Sequence, residues 1–265
     1  MILLCTCVII STKIMLLAVD IGNTNTVIGL FKGSRIVKRQ RVASKKTVIL
    51  KKLAGDVDAA MISSVVPSLD RAMSNKIRGL YGIKPVIVRW KDIKSIRVDL
   101  KARSQVGMDR LVNAVAAYAL YGAPAIIIEF GTATTFCAVG RGGKYLGGAI
   151  TSGLAISRDV LHDKTARLPL IEIRKPKRVI GKNTLEAMRS GLFFGYVDMV
   201  EGMIKRFKAE LGQGAKVIAT GGLSKLIASG TKKIDIVDQD LTLKGLYIIY
   251  RSACPERSLG DRGGR

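Results

Sequence analysis

Short aliphatic runs that end in an acid-glycine turn occur twice along the chain. Met15–Asp20 leads into Asp20-Ile-Gly-Asn-Thr-Asn25, and Ala125–Ile128 leads into Glu129-Phe-Gly-Thr-Ala-Thr134. Each turn opens onto a second apolar run, Val27-Ile-Gly-Leu-Phe31 in one case and Phe136-Cys-Ala-Val139 in the other. Runs of this length, bounded by Gly, Asn and Thr, predict paired strands joined by tight turns. Further strands are predicted at Arg35–Val42, Ala59–Ser63, Pro85–Arg89, Tyr145–Ala149 and Lys216–Ala219. Helices are predicted over 48–54, over Ser68–Leu80 behind Pro67, over Gly153–His162 and over Asn183–Leu211. From Asp109 to Tyr121 the apolar positions Leu111, Val112, Val115, Ala116 and Leu120 recur at helical spacing.

Hairpin strands followed by alternating helices and strands appear in the same order in both parts of the chain. That order predicts an α/β fold of two similar half-domains, each with a mixed sheet, facing across a cleft. The divisions are an N-terminal extension at 1–14, a first half at 15–108, a second half at 109–250 and a tail at 251–265. The tail is rich in Gly and Arg without apolar period, and reads as disordered and basic. The first residues are apolar but too short to span a bilayer, and neither a positive flank precedes them nor a cleavage site follows, so no membrane role is expected. Within the long helix, Gly191, Gly195 and Gly202 fall on one side with Met188 and Met199. Such small residues suit either a subunit interface or dense packing within one subunit.

The chain has 265 residues, with 44 Lys plus Arg against 20 Asp plus Glu and a formal net charge of +24. This charge would attract ATP, acidic metabolites or nucleic acid without choosing among them. Much of it lies between Lys32 and Lys52, where Arg35, Lys38, Arg39, Arg41, Lys45, Lys46 and Lys51 occur with no acid. No aromatic residue interleaves this run after Phe31, so the stacking platform of a single-strand binder is missing and a solvated surface is expected. The four cysteines, Cys5, Cys7, Cys137 and Cys254, lack paired metal-ligand spacing, and the single histidine is His162. Neither a zinc site nor disulfides are expected, and a reducing, cytoplasmic compartment fits. His162 reads as a surface or capping residue at a helix C-terminus.

The duplicated acid-glycine turns carry the chemistry. A strand that ends in a carboxylate and turns through Gly exposes N–H groups able to hold phosphate oxygens, while the acid orients a metal ion. Ordinary strand turns would use the same residue types. Duplication, with a second strand after each copy, favours a nucleotide site, and ATP is the natural guest.

Over about residues 15–250 the chain resembles the type III pantothenate kinase family. The resemblance rests on Asp20-Ile-Gly-Asn-Thr-Asn-Thr-Val27, Gly107-Met-Asp-Arg110, Gly131-Thr-Ala133, Tyr145-Leu-Gly-Gly148, Thr165-Ala-Arg-Leu-Pro169, Gly181-Lys-Asn-Thr184 with Ser190-Gly191, Ala219-Thr-Gly-Gly222 and Leu241-Thr-Leu243. Each motif is short, but their joint order and spacing are highly specific. The resemblance implies two RNase H-like halves around an ATP cleft, as in actin, hexokinase and heat-shock ATPases. It also implies transfer of the ATP γ-phosphoryl group to pantothenate, the first step toward coenzyme A.

By the same resemblance, Asp20, Ile21, Gly22, Asn23, Thr24, Asn25, Thr26 and Val27 would form the ATP segment, with Asp20 holding Mg²⁺ through water. Thr132, Gly221 and Gly222 would complete nucleotide binding. Asp109 would be the catalytic base; a helix N-terminus and Arg110 beside it would keep it ionised and therefore weakly basic. Without the family pattern, Asp109 would read as a helix N-terminal acid paired with Arg110. Gly107, Met108, Arg110, Leu100 and Thr184 would bind pantothenate, with Arg110 on its carboxylate. Thr184 would also serve as a helix cap, with Glu186 nearby. Family members are similar in forming homodimers whose substrate pocket borrows from the neighbouring subunit.

The chain departs from the family in three places. Glu129 stands where an Asp is usual and is associated with a monovalent cation, K⁺ or NH₄⁺; the extra methylene puts cation dependence in question. Cys137 replaces an Asp, removing a carboxylate near the second loop, and Leu100 and Arg103 replace an aromatic residue and a proline. Two alternatives to an active pantothenate kinase follow: a catalytically weakened relative with a binding or regulatory role, and a kinase for another small hydroxyl compound.

Overall fold

The computed structural model describes residues 14–45, 53 and 55–253. The extension through residue 13, the helix predicted over 48–54 apart from Leu53, and the chain from 254 onward lie outside the described residues. The chain forms two compact units, each discontinuous in sequence. The first takes residues up to Ser95, Gly107–Val112 and the chain from Leu243; the second takes Ile96–Val106 and Asn113–Thr242.

The first unit holds β1 (Met15–Ile21), β2 (Asn25–Lys32), β3 (Arg35–Ala43), β4 (Ala59–Ser64), α1 (Pro67–Tyr81) and β5 (Val86–Ile87). The strand order is β3-β2-β1-β4-β5, with β1, β2 and β3 antiparallel and β4 and β5 added in parallel. Alternation places Leu17, Val19, Ile21, Ile28, Leu30 and Ile62 on one face, clustered with Met73 and Ile77 of α1. Pro67 starts α1 where no intrahelical donor is needed. Gly82, at φ 70°, ends it in the left-handed conformation and donates to the Arg78 carbonyl. The basic run falls on β3, an edge strand on which Arg35, Lys38, Arg39 and Arg41 are exposed. Charges there oppose pairing with another strand, so the run reads as a protected edge; Lys46 and Lys51 lie outside the described residues.

The second unit starts with β6 (Arg97–Val98) and receives α2 (Met108–Tyr121) from the first. There follow β7 (Ala125–Phe130), β8 (Ala133–Gly140), β9 (Lys144–Ser152), α3 (Leu154–Asp163), α4 (Thr184–Leu211), β10 (Lys216–Gly221), α5 (Ser224–Ala228) and β11 (Ile236–Val237). The order β11-β10-β7-β8-β9-β6 repeats that of the first sheet, with β6 as an added edge strand. This is the RNase H-like arrangement in both units. Ile126, Ile128 and Phe136 pack with Leu192, Phe193, Val197 and Val200 of α4.

The chain then enters α6 (Leu241–Ala253), most of which belongs to the first unit. It covers the sheet face opposite α1. A side chain on Gly29 would meet Leu243 at 2.8 Å, and Tyr247 stacks on Phe31 with ring centroids 5.0 Å apart. Gly245 lets α6 lie against α2, since a Cβ there would stand 2.3 Å from the Val112 carbonyl oxygen.

Several expectations change. Arg251, expected in a disordered tail, belongs to the last turn of α6 through Ala253. The strand predicted over Pro85–Arg89 shortens to Val86–Ile87. The elements β6, β11, α5 and α6 were not predicted; two-residue strands carry no readable period. No helix among the described residues is long and apolar enough to cross a membrane.

Candidate active site

The first acid-glycine turn joins β1 to β2. Its internal bond runs from the Gly22 N–H to the Asn25 carbonyl at 3.1 Å, leaving Asn23 and Thr24 exposed and Thr26 buried. Asp20 pairs in register with Val27 on one side and Ser63 on the other, on the face that α6 covers further along the strands. Burial, and after it the negative charge of Asp109, raise the Asp20 carboxyl from 3.8 to about 7; the neighbouring Ser63 hydroxyl opposes the shift.

Asp109 lies in the first turn of α2 and belongs to the same unit as Asp20. Its Oδ1 accepts from the Arg110 backbone N–H at 2.7 Å. The carboxylate also folds back over Gly107, where a Cβ would stand 2.5 Å from Oδ1. Glycine at 107 therefore makes room for the acid. Burial raises the proton affinity of Asp109, against the lowering effects of the Arg110 N–H and guanidinium. The sequence-based expectation of a weak base is corrected here. Desolvation outweighs the helix terminus and the arginine, so the group is more basic than an exposed aspartate.

In the second unit, Glu129 sits on β7 opposite Thr135, and Oε2 accepts from Asn113 Nδ2 at 3.0 Å. Asn113, 1% exposed on α2, in turn accepts from Thr242 Oγ1 at 2.8 Å. Asn113 was not singled out in the sequence, although a lone amide among Leu111, Val112, Ala114 and Val115 was the available signal; Thr242 entered only within the motif Leu241-Thr-Leu243. Exposed Thr132 lies on a turn packed tightly against Gly153, whose Cβ would fall 2.2 Å from the Thr132 carbonyl oxygen. Gly221 adopts φ 89°, and a Cβ there would press on the Phe130 backbone at 2.6 Å; strand packing alone requires glycine. Gly222 beside it is exposed. Leu100 packs over Gly147 of β9. Buried Cys137, in register with Ile127 and Gly148, accepts a hydrogen bond from Tyr145 at 3.4 Å.

Thr184 is the first residue of α4, but the cap is Asn183, whose side chain accepts from the Glu186 N–H at 2.9 Å. The capping role expected of Thr184 is therefore corrected, and its exposed hydroxyl has no protein partner among the described residues. His162 is exposed at the end of α3 with Nδ1 2.9 Å from the Leu168 carbonyl oxygen, as expected of a surface residue. Ser44 and Ser63, beside the first turn, carried no sequence signal, because strand register alone brings them there.

Among the described residues no three His, Cys, Asp or Glu side chains gather to hold a metal. The residues nonetheless fit Mg²⁺ arriving with a nucleotide, which takes one or two carboxylates and completes its shell with phosphate oxygens and water. A partly buried carboxylate whose ionised form is disfavoured, as at Asp20, is stabilised by such an ion. At Glu129 one oxygen accepts from Asn113, and Oε1 lies on the side of Gly131, 4.0 Å from where its Cβ would be.

The family model for type III pantothenate kinase matches residues 16–206. A type III pantothenate kinase of Halalkalibacterium halodurans is 41% identical over 251 residues, covering 89% of this chain and 99% of that protein. One of Bacillus cytotoxicus is 41% identical over 262 residues, covering 93% and 100%. Among solved structures, a Baf family protein of Campylobacter jejuni superposes with TM-score 0.62 at 18% identity, over 89% of this chain and 98% of that one; at that identity the likeness concerns the fold.

The raised Asp20 value sets a measurable pH dependence. Its folded value exceeds its unfolded one, so the contribution to stability is full below 3.8 and is lost as pH rises through about 7. Without nucleotide or divalent metal, Asp20→Asn is expected to melt above wild type at pH 8, by on the order of 1–3 kcal/mol, with the gap closing toward pH 4. Thermal unfolding at both pH values checks this; equal melting at pH 8 would show that the charge is not destabilising.

Proposed function

The chain belongs to the type III pantothenate kinase family, and we propose how its residues divide the work of phosphorylating pantothenate with ATP. The reaction yields 4'-phosphopantothenate and is the first step of coenzyme A biosynthesis. The observation that carries the assignment is the family match over residues 16–206, within which Asp20 lies near the end of β1, at a phosphate-type turn, and Asp109 lies in the same unit. In the step itself, the primary hydroxyl oxygen of pantothenate bonds to the γ-phosphorus. The bond from that phosphorus to the bridging oxygen breaks, ADP departs with the electron pair, and the hydroxyl proton passes to Asp109.

Phosphoryl transfer of this kind depends on alignment and charge neutralisation more than on strong base. Asp109 aligns the hydroxyl and, with its affinity raised by burial, accepts the proton late in the step. Asp20 would hold Mg²⁺ through water, and that ion supplies neutralisation of phosphate charge when bound. The turn Ile21–Val27, with Asn23 and Thr24 exposed, would donate to the phosphates. Thr132, Gly221 and Gly222 would contribute the nucleotide contacts of the second unit. Gly107 and Met108 would border pantothenate, Arg110 would meet its carboxylate, and Thr184 and Leu100 would complete recognition. Glu129 would hold K⁺ or NH₄⁺ through its carboxylate. The cytoplasm, where ATP is supplied, is the proposed setting.

A homodimer is part of the same proposal. Gly191, Gly195 and Gly202 are exposed, and an added Cβ on any of them meets nothing within 4 Å, so dense packing inside the subunit does not explain them. Met188, expected on the same side, is instead buried in the core. The second unit also leaves Ile150, Val179 and Ile180 exposed, the last at 80%. A second copy of the chain would cover such apolar surface.

Pantothenate-dependent ADP release is expected from the wild type and is expected to fall by about 10²- to 10⁴-fold in Asp109→Asn, with ATP binding retained. Nucleotide binding without turnover in the wild type would instead support a regulatory relative, and turnover only with another alcohol would support a different kinase. In the same assay, K⁺ or NH₄⁺ is expected to raise the rate over Na⁺, and Glu129→Gln to abolish the difference; no cation effect in wild type would remove that site. Light scattering after gel filtration is expected to give twice the chain mass, and the chain mass for Gly195→Glu; a monomeric wild type would exclude the dimer.

A further inference from the structure

Ser44 follows the last residue of β3 and is only 2% exposed, although Ala43 and Lys45 on either side are exposed. Three of its hydrogen bonds tie it to the first acid-glycine turn and the start of β2. Its hydroxyl donates to the Gly22 carbonyl at 2.5 Å and shares a bond with Thr26 Oγ1 at 3.1 Å. Its backbone N–H donates to the Thr24 carbonyl at 2.9 Å. Thr26 is itself fully buried, so the hydroxyl pair is shielded from competing water.

These contacts fix the sense of a peptide plane. In a trans peptide the C=O and the following N–H point to opposite edges. The Gly22–Asn23 bond is trans, since the single cis bond among the described residues is Ala123–Pro124. With the Gly22 carbonyl tied to Ser44, the Asn23 N–H must point away from Ser44. Asn23 is exposed, and its N–H makes no hydrogen bond within the described residues. A turn of Gly, Asn and Thr has other conformations open to it, because Gly tolerates either sign of φ and Asn and Thr bond locally to their own backbone. The turn's internal bond, Gly22 N–H to the Asn25 carbonyl, does not involve the Gly22 carbonyl and leaves this peptide free to flip.

We infer that Ser44 is a positioning residue for ATP: by holding the Gly22 carbonyl it keeps the Asn23 N–H turned toward the nucleotide's polyphosphate. The inference rests on the reading of residues 20–27 as the phosphate cradle. It assigns Ser44 no contact with substrate and no part in proton transfer.

Steady-state kinetics with both substrates varied separates the possibilities. Ser44→Ala is expected to raise KM for ATP by about 5- to 20-fold, the worth of one to two hydrogen bonds, while KM for pantothenate stays within about twofold. Ser44→Thr, which keeps the hydroxyl, is expected to restore KM for ATP. A merely structural role would lower melting temperature without this selective effect or its rescue. Should Ser44→Ala not fold, Ser44→Cys keeps the size with a weaker donor and is expected to raise KM for ATP less steeply. As a control, Asn23→Pro removes the N–H itself. If Asn23→Pro raises KM for ATP and the Ser44 variants do not, the inference about Ser44 is wrong and the cradle stands. If Asn23→Pro leaves KM for ATP unchanged, the cradle reading fails and the inference with it.

Discussion

Two carboxylates of the first unit, Asp20 and Asp109, are held where water solvates them poorly, and the charge of Asp109 acts on Asp20. Burial raises the proton affinity of both. The surrounding structure accommodates them closely. Gly107 clears space for one acid, the first turn of α2 gives it an N–H, and Ser63 stands beside the other in register. A cation bound beside Asp20 would favour its ionised form, against the burial that disfavours it.

The two units share a strand order yet use the acid of their turns differently. In the first, Asp20 meets a second carboxylate; in the second, Glu129 meets the neutral amide of Asn113. The Asn113 amide donates to one oxygen of Glu129 without adding charge, whereas Asp20 stands in the field of a second acid.

Much of this was legible in the sequence, and for identifiable reasons. The acid-glycine turns, the buried strands flanking them and the helix over Asp109 are local patterns, and local patterns are what periodicity and turn chemistry record. Most of the misses are nonlocal. Ser44 reaches Gly22 across a strand pairing, and Asn113 reaches Glu129 from a helix onto a strand. The basicity of Asp109 was misjudged because its neighbours in sequence, a helix start and an arginine, lower proton affinity, whereas the burial that raises it comes from packing. Thr184 and Asn183 were confused because either residue type caps a helix, and only the backbone decides which stands outside the first turn.

The placement of α6 has a consequence for biogenesis. The sheet face of the first unit that bears Asp20 is closed by Leu243 and Tyr247, residues made only after the entire second unit has been synthesised. During vectorial synthesis the early strands must therefore wait with Gly29 and Phe31 uncovered while more than half of the chain emerges. The second unit, contiguous apart from a short early stretch, can complete itself first. Maturation would then run against the order of translation, with the strands of the first unit the last to acquire their full covering.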